Sequence, residues 1–94
     1  MLATTISLPR QPICEAINAI CNVARERMAY ESRHLATLYG IQDASFRFSG
    51  ACCGRDSLLE LLECSVPSVR EGDGSAAILR DAIVAIYALV EVSQ

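Results

Sequence analysis

The chain has 94 residues, 52% of them hydrophobic, with a formal net charge of −3 and a mean hydropathy of +0.31. That length fits one domain, and the acidic balance argues against a protein that binds nucleic acid by neutralising its phosphates, which requires a basic surface. The eight positive charges are all arginine, so lysine Schiff-base chemistry and the lysine of a phosphate-binding loop are excluded.

Residues 1–11 read as an extended N-terminal arm, because Thr4, Thr5, Ile6 and Ser7 favour strand or coil and Pro9 and Pro12 oppose an early helix. This start has no basic leader and no long apolar stretch, so no signal peptide is expected and the protein reads as cytoplasmic. Residues 12–94 then form a single helical domain. Pro12 suits a first helical position, and Ile13, Ile17, Ile20, Ala24, Met28, Leu35 and Leu38 recur at spacings of three, four or seven. The pattern predicts one long helix from Ile13 to Tyr39, about 40 Å in length, closed by Gly40 as a left-handed cap.

Residues 41–54 are bounded by glycine and lack an evident helical period, which predicts an irregular segment with Phe46 and Phe48 as anchors or a short strand. Asp56 or Ser57 would cap a short helix from Leu58 to Cys64, and Pro67 stops it. After the turn-rich stretch 66–74, Ser75 is a plausible cap for a last helix, Ala76 to Val92. This helix carries nine consecutive apolar residues, Ala82 to Val90. It is interrupted by Arg80 and Asp81 and falls far short of the roughly 20 residues needed to cross a bilayer, so no membrane association is expected. The fold class that follows is all-α: a small helical bundle with one long N-terminal helix, a short middle helix and an apolar C-terminal helix.

The chemistry-bearing residues form no strong motif. Cys14, Cys21, Cys52, Cys53 and Cys64 make an odd count without a Cys-x-x-Cys, which favours free thiols in a reducing compartment. Cys14 and Cys21 stand on one stripe about 10.5 Å apart along the axis, too far to share an ion or a disulfide. Cys52 and Cys53 precede a helix start, where amides and the helix dipole can activate a thiol, so a thiol redox switch is one alternative. Cys64 and Arg70 have the spacing of cysteine-dependent phosphatases, but the helix before them and Pro67 between them are wrong for an amide-lined loop. His34 is the only histidine, and its charged surroundings suggest a solvent-facing or interface residue. No metal, cofactor or catalytic residue is assigned, and no enzymatic activity is expected.

The apolar surplus is the main functional signal. A domain of this size buries only about 60–65% of the surface its unfolded chain exposes, and a short helix that is apolar all round needs more cover than this chain supplies. The expectation is a small cytosolic protein-binding regulator of the anti-activator, inhibitor or chaperone type, by analogy with small acidic helical proteins of bacteria. It would bind another protein and form a homodimer through helices laid into grooves. The expected anchors are Met28, Tyr30, Leu35, Leu38 and Tyr39 on the first helix and Ile83, Ile86, Tyr87 and Val90 on the last. Arg25, Arg27 and Arg33 would orient the partner at the rim. A structural subunit of a larger assembly is the other alternative.

Overall fold

The computed structural model describes residues 8–30, 32–70 and 72–94. Among them the chain forms four α-helices: α1 (Arg10–Arg27), α2 (His34–Ser49), α3 (Arg55–Ser65) and α4 (Gly74–Glu91). The all-α bundle expected from the sequence is what the chain builds. Each of α1 and α3 packs against both α2 and α4, and α2 touches α4 across the middle. The core between them is aliphatic apart from Phe48, with Ile17, Leu38, Leu58, Leu62, Leu79, Ile86 and Val90 almost wholly out of water. Each such side chain contributes about 1.5–3 kcal/mol on burial.

The single long helix from Ile13 to Tyr39 does not form. It is broken at Met28, whose backbone is extended (φ −79, ψ 151) and whose side chain turns into the core at 7% exposure. The amides at the break are satisfied, one locally and one from a distant helix: Met28 N–H reaches the carbonyls of Ala24 and Arg25, and Ala29 N–H donates to Ser75 Oγ at 3.2 Å. Ser32 leads into the next helix, accepting from His34 N–H with its hydroxyl and from Leu35 N–H with its carbonyl. Magnitudes explain the preference. A continuous rod would carry Leu38, Ile41 and Phe48 away from Ile13, Ile17 and Cys21, all of which share one core in the folded chain. Reversal secures several burial contributions of that size, while a broken turn forfeits a few hydrogen bonds worth about 0.5–1.5 kcal/mol each.

The irregular segment 41–54 is likewise corrected. Ile41 to Ser49 is the second half of α2, and only residues 50–54 remain non-helical. Leu38, Ile41, Ala44, Ser45 and Phe48 are its buried face, a helical spacing that runs through Gly40 without interruption. Gly40 is therefore an interior helical residue rather than a left-handed cap. Phe46 lies on the opposite side, 63% exposed. Polar contacts between side chains also hold α2 to α1: a buried pair between Ser45 Oγ and Cys14 Sγ at 3.4 Å, and the Gln42 amide donating to Asn18 Oδ1.

Helix ends also differ from expectation. Asp73, not Ser75, caps α4, its carboxylate accepting from Ala76 N–H at 3.1 Å. Gly54 precedes α3 without a side-chain cap, leaving Asp56 in the first turn to complement the helix dipole. Of the extended N-terminal arm, residues 1–7 lie outside the described residues, and Arg10 and Gln11 already belong to α1. Leu8 is extended, its N–H bonded to Val92 O at 2.8 Å and its carbonyl accepting from Gln94 N–H at 2.9 Å.

Two arginines close this end of the bundle. Arg10 stacks on the Phe48 ring, 4.4 Å from its centroid, and donates to the carbonyls of Phe48, Cys53 and Gln94. Arg55 donates to the carbonyls of Val90 and Glu91, the orphan acceptors at the end of α4. The planar fork of guanidinium suits such multiple carbonyl contacts better than a point ammonium would.

Candidate functional site

The packing of α4 decides which part of its apolar run meets water. Leu79, Ala82, Ile83, Ile86 and Val90 are buried against the other three helices. At about 100° per residue, that leaves Val84 and Ala88 on the opposite side, and Val84 is 63% exposed. Ala77, Arg80, Asp81 and Glu91 complete this outward face. Because α4 sits between α1 and α3, the face is bordered on each side by a groove.

The groove toward α1 has a volume of about 360 Å³ and is lined by Ala19, Ile20, Val23 and Ala24 from α1 and by Ile78, Ala82 and Ala85 from α4, with Arg27 and Asp81 as its charged members. Val23 on its outer edge is 57% exposed. The groove toward α3, about 300 Å³, is formed by Leu62, Val66, Ile83, Val84, Tyr87 and Ala88, with Glu63 and Glu91 at its margin. There Tyr87 O–H donates to Glu63 Oε1 at 2.8 Å, and this bond, with the neighbouring carboxylate charge, holds the phenol above its ordinary titration range. Both grooves are open, so they suit side chains projecting from another polypeptide.

The residues expected to bind a partner are distributed differently from the sequence reading. Met28, Leu38, Ile86 and Val90 are at most 7% exposed and belong to the core rather than to the outer surface, and Ile83, equally buried, reaches only the floor of the α3 groove. Leu35 is half-buried against the same core. Tyr87 is half-buried too but reaches the α3 groove, and Arg27 reaches the α1 groove. Arg25, Arg33 and Tyr30 are exposed, Tyr30 at 94%, and Tyr39 is 49% exposed on α2, away from the α4 face.

The residues that do form the surface, Ile20, Val23, Ile78, Val84, Ala85 and Val66, had no distinguishing sequence signal except phase. Once the core set of α4 is placed at 79, 83, 86 and 90, Val84 and Ala88 have to face outward.

The remaining chemistry-bearing residues have structural partners. The His34 side chain is 12% exposed, with Nε2 at 3.7 Å from the Asp73 carboxylate that caps α4, so it links the start of α2 to the start of α4 rather than facing solvent. Cys14 and Cys21 are buried, and burial pushes the Cys21 thiol from its ordinary 9.0 to about 11. Cys52 and Cys64 are exposed and Cys53 is partly so. The thiols of Cys52 and Cys53 each donate to a backbone carbonyl at 3.6 Å, of Gly50 and Gly54. Among the described residues no three His, Cys, Asp or Glu side chains converge as metal ligands, and no helix is long and apolar enough to cross a membrane.

Comparison with known proteins finds no family model that matches this chain, no curated protein similar to it and no solved structure that matches it.

Proposed function

We propose that this chain is a small cytosolic protein-binding regulator, of the anti-activator, inhibitor or chaperone type, that works as a dimer through helix-mediated contact rather than by catalysis. The observation that carries the reading is the outward face of α4. Val84 at 63% exposure stands between two apolar grooves, on the most hydrophobic helix of a chain too short to cover it. Isolated exposed valines are ordinary on protein surfaces, whereas an apolar ridge with a groove on each side and charges at its ends has the layout of an interface core and rim. An amphipathic helix from a partner would lie along α4 and place its side chains in the grooves.

The test is capture of a partner by the wild-type chain and its loss in Val84→Asp and Val23→Asp, followed by titration of the purified pair. Both valines are exposed, so the variants should fold. Ile86→Asp is unsuitable, since burying a carboxylate at a fully enclosed position would unfold the bundle before it tested binding. A partner that binds both variants as tightly as the wild type would sink the proposal.

A further inference from the structure

We infer that the first occupant of the α4 face is a second copy of this chain, with the two α4 helices stacked antiparallel about a two-fold axis. This rests on the α4 face being the binding surface, and it follows from where the charges sit on that face. The charged residues of α4 are Arg80, Asp81 and Glu91. Arg80 and Glu91 lie on the same side of the Val84 line, the side of Tyr87 and α3, by their helical phase. Parallel stacking about a two-fold axis swaps the flanks, so it would bring the two Glu91 carboxylates together near the Val84 line and leave Arg80 facing the copy's opposite flank, where Asp81 stands. Antiparallel stacking about a two-fold axis keeps each flank facing its own counterpart and reverses direction, so Arg80 of each copy meets Glu91 of the other.

Side-chain size points to the same alignment. Val84 is the large apolar side chain of α4 most exposed to solvent, and Ala88 one turn later is a small exposed residue beside it. Seating Val84 of one copy against Ala88 of the other, twice, defines a register. The register that brings Arg80 opposite Glu91 differs from it by one residue, about 1.5 Å along the axis. The long side chains of Arg80 and Glu91 span that offset, so the charge pairing is compatible with the antiparallel register that shape favours. Among the described residues Arg80 pairs with Asp81, an exposed pair at 3.2 Å whose side chains are 47% and 67% accessible. The exchange of partners across the interface consequently gives up little. The two α1 grooves face each other in this dimer, each bordered by Val23, and extend the apolar contact beyond α4 itself.

Sedimentation velocity on the full chain tests the arrangement. The wild type should sediment as a dimer, and Val84→Asp as a monomer with an unchanged far-UV circular dichroism spectrum. Arg80→Glu and Glu91→Arg should each raise the dimer dissociation constant about tenfold, because two attractive contacts become repulsive. The double variant R80E/E91R should return it to near the wild-type value. A double variant no tighter than either single one overturns the antiparallel pair. So does a wild-type chain that stays monomeric at the highest concentration it tolerates; if that monomer still captures a partner that Val84→Asp loses, the self-pairing fails alone and the binding surface stands.

Discussion

Replacing Gly40 by alanine separates the two-helix hairpin of α1 and α2 from a single helix ended by a left-handed glycine. In the folded chain Gly40 is the seventh residue of α2, with helical backbone, and a Cβ built there meets nothing within 4 Å. No contact has to move, so backbone propensity decides the sign. Glycine in a helix interior is about 0.8–1.0 kcal/mol worse than alanine, and the gain measured at compatible sites is about 0.4–1 kcal/mol. Gly40→Ala should therefore stabilise the protein by about 0.5–1 kcal/mol, raising the thermal midpoint by roughly 3–6 °C for a domain of this size. The assay is thermal and urea unfolding followed by circular dichroism, at one fixed protein concentration because association would shift the midpoint. Gly72 is the control: its φ of +85 lies in the left-handed region and its Cβ position is also open, so Gly72→Ala should destabilise by about 1 kcal/mol for backbone reasons alone. If Gly40→Ala destabilises to the same degree as Gly72→Ala, Gly40 is a cap and the helix assignment through 41–49 is wrong.

The thiols give a second check, since Cys52, Cys53 and Cys64 should react with an aromatic disulfide reagent in the native state, and Cys14 and Cys21 only on unfolding. Equal rates at all five would contradict the packing of α1. The raised Cys21 thiol makes stability fall in alkali: below pH 9 its contribution is intact, and it is lost as pH rises from 9 toward 11, where the unfolded chain releases the proton first. Urea midpoints across that window should decline more steeply for the wild type than for Cys21→Ala, and parallel curves would show that another group is responsible. Arg10→Lys should cost about 1–2 kcal/mol in urea unfolding, because an ammonium cannot span the Phe48, Cys53 and Gln94 carbonyls while lying on the Phe48 ring. An unchanged midpoint would mean those contacts are solvent-exchanged and add nothing.

The sequence by itself determined the class of fold and the position of the helical faces. The three-and-four spacing of Ile13, Ile17, Cys21 and Ala24 is the buried face of α1, and Leu58 with Leu62, and Leu79 through Val90, supply those of α3 and α4. Periodicity survives in one dimension because a helix buries the same face along its whole length. What it could not show is where a periodic run turns back, since Met28 and Leu35 fit the spacing of a continuous helix as well as that of two helices. The reversal between Met28 and His34 depends on Ser75 and Asp73, some forty residues away, which accept Ala29 N–H and face His34. Only the tertiary structure decided the candidate surface as well. In a run as uniformly apolar as Ala82 to Val90 every residue is an equal candidate for core or interface, and the choice of Ile83, Ile86 and Val90 for the inside and Val84 for the outside is made by the positions of α1, α2 and α3 around it.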